Sequence, residues 1–276
     1  MTFRELLTEG KNTLTACGIE DAELDAWLLL EYISHMDRAG FFLRQQEEAS
    51  QEDARQYRGL IRQRGSHIPV QHLTGTQEFM GLGFIVSPDV LVPRQDTELL
   101  VEKLLPLSDG KKVLDVCTGS GCIAISLAKL GTPELVDATD LSEKALAIAG
   151  KNAQKLEADV TFYQGDLLEN ISGKYDIIVS NPPYIASEVV CGLMPEVKDH
   201  EPRMALDGGE DGLELYRRLL EQVPPHLEDG GILAVEIGYD QGKAVTSLFK
   251  EHGFEQIECC QDLCGNDRVV TGIRKG

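Results

Sequence analysis

The stretch Asp176-Ile177-Ile178-Val179-Ser180-Asn181-Pro182-Pro183-Tyr184 decides how the rest of the chain is read. Its apolar run, Ile177 to Val179, has the character of a strand buried in a parallel sheet. Two prolines follow. Neither can donate a ladder hydrogen bond, so the chain leaves the sheet at its carboxyl edge in a stiff conformation. In open α/β sheets that edge is where ligands bind. Asn181 offers a donor and an acceptor there, and Tyr184 a flat aromatic face. A planar NH2 group can give one hydrogen to the Asn181 side-chain oxygen and one to the Pro182 carbonyl while resting on the Tyr184 ring. Asn-Pro alone mostly marks a strand-ending turn around a buried Asn. All four residues directly after an apolar strand are much more specific.

A second element fixes the class. Lys112 to Val116 is another buried strand, followed by Cys117-Thr118-Gly119-Ser120-Gly121-Cys122 and a helical run from Ile123 to Lys129. A glycine-rich turn between strand and helix lets a ligand approach the backbone and sit at the helix N-terminus. The dinucleotide fingerprint wants Gly-x-Gly-x-x-Gly. Gly119-x-Gly121-x-x-Ala124 comes close to it, with Ala124 tolerated at the last position, so the glycines alone do not decide. Asp115, inside the strand end, repels a pyrophosphate and can pair with a cationic amino group. That combination suits S-adenosylmethionine better than a dinucleotide. Leu135 to Thr139 reads as the next strand, ending in Asp140, a carboxylate placed to accept from both hydroxyls of a ribose. A competing role for Asp140 is that of a helix N-terminal acid beside Ser142.

The organisation along the chain predicts three regions: a helical domain over 1–74, a β-hairpin linker over 75–93 and an α/β domain over 94–276. Phe3 to Ala16 and Asp21 to His35 read as amphipathic helices, the second with Leu24, Trp27, Leu28 and Leu30 as buried candidates. A third begins after Ser50, an N-cap with Asp53 as its capping-box partner, and stops at Gly65. Phe79 to Val86, broken by Gly81 and Gly83, reads as the hairpin. A helix is expected from Thr97 to about Leu105. Strands recur at 112–116, 135–139, 160–164, 175–180, 232–237, 255–260 and 268–273. The first four alternate with helices, as in a doubly wound sheet. The last two are joined by Asp262 to Asp267, too short for a crossover helix, so they are antiparallel. The long segment from Ala186 to Pro225, with turns at Glu201-Pro202 and Asp207-Gly208-Gly209, is expected to lie over the acceptor site.

Composition narrows the function. The formal net charge of the 276 residues is −20. Proteins that grip a phosphate backbone usually carry a basic patch, and the only basic concentration is Arg55, Arg58, Arg62 and Arg64, read as a solvated helix face beside Glu47, Glu48, Glu52 and Asp53, with a docking face for an acidic protein or RNA as the alternative. DNA is therefore not expected as a partner. No run of about 18 apolar residues exists, so no membrane span is expected, and Met1 to Glu5 lacks a signal-peptide apolar core. Seven scattered cysteines suit reduced thiols in a cytoplasm. Cys259-Cys260-x-x-x-Cys264 has no second pair at zinc spacing, so buried strand cysteines are expected and no metal.

Further segments occur in one order: Gln71-His72-Leu73-Thr74-Gly75, Glu78-Phe79, Pro93-Arg94-x-Asp96-Thr97-Glu98, the loop 115–121, Asn181-Pro182-Pro183-Tyr184-Ile185, Glu201-Pro202 and Gly265-Asn266-Asp267-Arg268. From about residue 68 onward the chain resembles the HemK/PrmC family, protein methyltransferases that act on the glutamine of the Gly-Gly-Gln tripeptide of peptide chain release factors. The first 67 residues are similar only in being helical. The resemblance implies a Rossmann-like class I S-adenosylmethionine-dependent methyltransferase fold: a seven-stranded, mostly parallel sheet with the last strand antiparallel, and an N-terminal helical domain joined by a β-hairpin. It implies S-adenosylmethionine as cofactor, with S-adenosylhomocysteine as product, and release factors as partners. Cofactor contacts then fall to Cys117, Thr118, Gly119, Ser120, Gly121, Asp140, Asp166, Leu167 and Asn181, beside Asp115. Asn181, Pro182, Pro183 and Tyr184 hold the glutamine and form the catalytic set. Two departures stand out: Cys117 where the family loop has its first glycine, and Gln95 where the family turn has a second proline. Thr97 and Arg94 are candidates for holding the cofactor's methionine carboxylate, or equally for shaping a turn. A rival use of the same site is methylation of an adenine amine in RNA or DNA, with the flipped base on Tyr184.

Overall fold

The computed structural model describes residues 1–275; Gly276, the last residue of the expected α/β domain, lies outside them. The chain divides into two compact units, Met1–Thr76 with Met194–His200, and Gln77–Leu193 with Glu201–Gly276.

The first unit is helical: α1 (Phe3–Ala16), α2 (Ala22–Ser34), α3 (Arg38–Arg44), α4 (Gln51–Gly65) and α5 (Val70–Thr74), plus a single turn at Pro195–Lys198. Thr2 opens α1 with a reciprocal capping box to Glu5. Ser50 caps α4 by accepting from Asp53 N, and α4 ends at Gly65, as the sequence indicates. The apolar stripes meet in one cluster containing Leu6, Leu14, Leu29, Leu30, Tyr57 and Ile61. Trp27 and Leu30 are buried as expected, but Leu24 is exposed and Leu28 only partly covered; Leu29 takes the inward place. The arginine face of α4 is also less solvated than its sequence implies. Arg55 pairs with Glu52 and Arg58 with Glu9 at the surface. Arg64 is buried, its Nε donating to Asp25 at 2.6 Å and its Nη1 to Glu196 at 3.0 Å. A buried guanidinium needs such partners because an unpaired charge in the interior is very costly.

The second unit, from Gln77, opens with a ribbon of β1 (Thr76–Phe79), whose first residue still belongs to the first unit, and β2 (Leu82–Ile85). Met80 and Gly81 between them both have positive φ, 53° and 71°, the backbone a tight primed hairpin turn demands. Glu98 holds this turn by accepting from Met80 N at 2.6 Å. The elements α6 (Gln95–Leu104), β3 (Lys112–Val116), α7 (Cys122–Leu130), β4 (Leu135–Asp140), α8 (Glu143–Leu156), β5 (Thr161–Gln164) and β6 (Tyr175–Ser180) follow. After them come α9 (Glu214–Gln222), β7 (Leu227–Glu236), α10 (Gly242–Glu251), β8 (Phe254–Gln261) and β9 (Asp267–Arg274).

The large sheet has seven strands in the order β5-β4-β3-β6-β7-β9-β8. Pairings from β5 to β7 are parallel, and β9, the last strand, runs antiparallel to both β7 and β8. This is the mixed sheet the short Asp262–Asp267 connection requires. Side chains alternate between two cores. Leu114, Val116, Ile178, Leu233, Val235 and Val270 pack on one face with α9 and α10. Val113, Ile177, Val179, Ala234 and Val269 pack on the other with α6 and α7. Central strands covered on both faces explain why their sequences read as unbroken apolar runs. β7 starts five residues before the expected Ile232, with its pairing to β6 irregular between Tyr175 and Ile177. Cys259 and Cys264 are exposed and Cys260 half-buried, so the expected buried strand cysteines are not found: β8 is the sheet's edge strand.

The strand order reverses between β3 and β6, where Val116 pairs with Ser180. That reversal puts the loop after β3 and the Asn181 turn after β6 side by side at the carboxyl edge, with a crevice between them.

Candidate active site

The β3–α7 loop is built from left-handed backbone. Cys117, Gly119 and Gly121 have φ of 62°, 56° and 82°. At Cys117 a side chain occupies a conformation that costs an L-residue on the order of 1–2 kcal/mol; it is the position where the resembled family has glycine. Neighbouring bonds hold it: Thr118 N donates to Thr139 O at 3.0 Å, and Ser180 Oγ to Val116 O at 2.6 Å. Around Gly119 a Cβ would meet open space, whereas at Gly121 it would lie 2.8 Å from Ile125 Cδ1. Only the second glycine is therefore needed for packing as well as for its φ. Asn152 of α8 anchors the loop. Its Nδ2 donates to Ser120 O at 2.9 Å and to Ile85 O at 3.0 Å, and its Oδ1 accepts from Ile85 N at 2.6 Å.

The crevice is a cleft of about 290 Å³. Of the expected cofactor residues, Cys117, Thr118, Gly119, Ser120, Asp140, Asp166, Leu167 and Asn181 line it; Asp115 and Gly121 lie behind it. Asp140 accepts from Gly119 N and Ser142 N, both at 2.8 Å, so it serves the loop and the start of α8 together. Burial raises its carboxyl from the usual range. Asp115 is fully buried; its Oδ2 accepts from Thr118 Oγ1 at 2.6 Å and Ala124 N at 3.1 Å, while Oδ1 has no partner among the described residues. Burial pushes this carboxyl up to about 7, with the Thr118 and Ala124 bonds opposing. Asp166 receives Arg218 Nη2 at 2.6 Å. Leu167 has a φ of 55°, a second strained position on the wall.

The donor set tests which ligand fits. Among the described residues two cations line the cleft, and each is matched by a carboxylate. Arg218 meets Asp166, and Arg94 Nη2 lies 2.8 and 2.7 Å from the two oxygens of the buried Glu201. Neither cation is therefore unpaired, which disfavours a pyrophosphate; Arg94 is engaged by Glu201 through Nη2. Glu201 also accepts from Val92 N at 3.3 Å, fixing the strand-like approach to α6. The acidic wall of Asp140 and Asp166, the buried Asp115 behind it and the apolar Val90, Leu91, Leu141 and Leu167 fit a cationic nucleoside such as S-adenosylmethionine.

At the acceptor side, Asn181 Nδ2 donates to Thr97 Oγ1 at 3.2 Å. Of the expected acceptor residues Asn181 and Pro183 line the cleft; Pro182, buried, and Tyr184, half-buried, do not, and the Tyr184 hydroxyl donates to Glu236 Oε1 at 3.2 Å. Burial and the adjacent Glu236 raise the Tyr184 hydroxyl, keeping it protonated and a donor. The turn is held from outside. Gln241 Nε2 donates to Tyr184 O at 2.9 Å, and a Cβ on Gly208 would meet Pro183 O at 2.7 Å. Pro202, Met204, Ala205 and Asp207 close this end, so part of the long segment does lie over the cleft. Asn152, Glu236, Arg218 and the strip Asp89–Leu91 were not legible as site residues. Only Asn152 carried a signal, as a polar residue among the inward positions Ile148, Ala149 and Ala153 of α8. Among the described residues no group of three or more His, Cys, Asp or Glu side chains could hold a metal ion.

The chain is similar to known proteins along its whole length. The PrmC N-terminal domain model matches residues 5–75 and the methyltransferase small domain model residues 94–194. The chain is 41% identical over 98% of its length to the release factor glutamine methyltransferase of Geobacter sulfurreducens, of which 96% is covered. It is 43% identical over its full length to 99% of the release factor glutamine methyltransferase of Moorella thermoacetica. In fold it is similar to a methyltransferase from Pyrococcus furiosus, with a TM-score of 0.57 at 20% identity over 72% of this chain and 91% of that one.

Proposed function

The chain belongs to the release factor glutamine methyltransferase family, and on that footing we propose how its own residues carry out the reaction. The methyl group of S-adenosylmethionine passes to the side-chain amide nitrogen of a glutamine, that of the Gly-Gly-Gln tripeptide of a peptide chain release factor. When bound, the cofactor supplies an electrophilic sulfonium methyl. Asp140, the Cys117–Gly121 loop, Asp166 and Leu167 would hold it, with Asp140 taking its ribose hydroxyls, while Asp115, buried behind the loop, would add negative charge that favours a cationic ligand.

An amide nitrogen is a poor nucleophile because its lone pair is delocalised into the carbonyl. Asn181 Oδ1 and the Pro182 carbonyl each accept one of its hydrogens, which orients the nitrogen and favours a pyramidal shape. The Tyr184 ring supports the amide plane, and Pro183 keeps the turn stiff. The N–C bond then forms as the S–C bond breaks, and the methylated nitrogen, now strongly acidic, releases its proton afterwards. Positioning and stabilisation of developing positive charge do most of the work. The observation that carries this reading is the Asn181–Thr97 bond: with Nδ2 committed to Thr97, the oxygen of Asn181 is the atom left to accept.

No helix among the described residues is long and apolar enough to cross a membrane, and a cytoplasmic setting fits a substrate of the translation apparatus. The test is incubation with methyl-labelled S-adenosylmethionine and, in separate arms, a full release factor, duplex DNA and ribosomal RNA. Label is expected on the factor's glutamine alone. In Asn181→Ala, turnover should fall by about a hundredfold or more with cofactor affinity little changed, because an orienting interaction is lost. Near-normal turnover in that variant refutes the amide clamp, and label on adenine with the factor untouched overturns the substrate.

A further inference from the structure

We propose that Glu236 is the positioning residue that sets the polarity of the Asn181 amide, and with it which of the two amide atoms meets the acceptor. The proposal rests on the functional reading above and deepens it.

Glu236 ends β7 at the carboxyl edge, one residue beyond the Val235–Ser180 pair that aligns β7 with β6. It is 1% exposed. Tyr184 donates its hydroxyl to Oε1 at 3.2 Å, Oε2 is buried with no hydrogen-bond partner among the described residues, and the neighbouring Thr97 hydroxyl favours the ionised carboxyl. Thr97, 2% exposed, in turn receives Asn181 Nδ2. The two arms of the Asn181–Tyr184 turn thus converge on one carboxyl group.

The direction of this chain follows from donor counting. A hydroxyl has one hydrogen to give. If Thr97 gives it to the Glu236 carboxylate, only a lone pair is left toward Asn181, so Asn181 must present Nδ2 to Thr97 and Oδ1 to the cleft. A protonated Glu236 reverses the logic: its own O–H can donate to Thr97, which frees the Thr97 hydrogen for Asn181 Oδ1 and turns Nδ2 toward the acceptor. An NH2 group facing the NH2 of a glutamine cannot accept from it. Ionised Glu236 therefore corresponds to the competent site.

The carboxyl is poised between these states. Burial pushes it up to about 7, while Thr97, Arg268 and Tyr184 pull it back down. The charged and titratable groups facing it are Arg268 on β9, Asp96 on α6, Tyr184, and Cys122 at the start of α7. Tyr216 of α9 donates to its backbone oxygen at 2.8 Å. Only Arg268 among these is cationic, and it also faces Asp96 and Asp262 at 3.1 Å.

The full-length enzyme provides two independent readouts. In the first, the side-chain amide resonances of Asn181, assigned by their loss in Asn181→Ala, are followed by nitrogen-15 NMR from pH 5.5 to 8.5 without substrate. They should titrate near pH 7 in the wild type and stay flat in Glu236→Gln. In the second, kcat for the release factor should rise with pH through the same midpoint and fall by about ten- to a hundredfold in Glu236→Gln, while KM and cofactor Kd stay within about twofold. Thr97→Ser, which keeps the hydroxyl, should hold kcat within about threefold, and Thr97→Val should lose it as Glu236→Gln does. Should Glu236→Gln fail to fold, the Thr97 pair decides. Flat Asn181 resonances in the wild type overturn the proposal, as does equal kcat in Thr97→Ser and Thr97→Val. A wild type whose resonances titrate but which leaves the factor unlabelled refutes the substrate reading and leaves the Glu236 relay standing.

Discussion

At the scale of single residues, the buried acids set a pH dependence. Asp115 is buried with one oxygen unpartnered and its carboxyl pushed up to about 7. A folded-state value raised above the unfolded one means that its contribution to stability is complete below the unfolded value, near 4, and is withdrawn as pH rises through 7. Glu236 has the same sign. The melting temperature of the ligand-free protein should therefore drop between pH 5.5 and pH 8, and Asp115→Asn should shrink that drop while weakening S-adenosylmethionine binding. Calorimetric scans at both pH values check this; an equal drop in the variant shows that Asp115 is not the group responsible. Asp115 was legible in the sequence because its neighbours are local: strand, acid, glycine loop and helix fall within a dozen residues. Glu236 was not, since Thr97, Tyr184, Tyr216 and Arg268 reach it from four distant places in the chain, and nothing in Ile232 to Gly238 announces a site.

At the scale of elements, strong periodicity was readable and short pieces were not. The strands from β3 to β6 stand within a residue of their expected bounds; β3 and β6 are buried on both faces and read as near-continuous apolar runs, while the edge strand β5 is bounded by the end of α8 and by Gly165. α3 and α5, of seven and five residues, are too short to show a period and were missed. Leu24 was misplaced because α2 is apolar on too many sides for a stripe to be chosen: Leu24, Leu28, Leu29 and Leu30 compete for few inward places. The most consequential joint between elements is Asn152, which ties α8 to the end of β2 and to the β3–α7 loop. Asn152→Ala strands two backbone oxygens and one N–H inside the protein, which should destabilise it by about 2–4 kcal/mol. Urea unfolding would measure this, and cofactor affinity should fall in parallel as the loop loosens. A variant with unchanged midpoint would show that water replaces the amide at no cost.

At the scale of the whole molecule, charge decides among partners. The formal net charge of −20 repels a polyanion, and at physiological salt screening acts only beyond about 8 Å. A tenfold mass excess of duplex DNA should leave the rate of release factor methylation unchanged, and steady inhibition that weakens with added salt would contradict it. The fold class and the acceptor turn were legible from the sequence, because both follow from local strand-to-loop transitions. The make-up of the helical unit was not, because it draws on chain far from the N-terminus. That unit contains Met194–His200 as well as Met1–Thr76, and Glu196 from the later segment meets Arg64 at 3.0 Å and His67 at 2.9 Å. The unit is therefore discontinuous in sequence, and no single cut excises it intact. A fragment ending at Thr76 would keep Asp25 but lose the second acid that satisfies a buried guanidinium. Anyone exchanging this unit between related enzymes has to transplant two pieces, one of them only seven residues long.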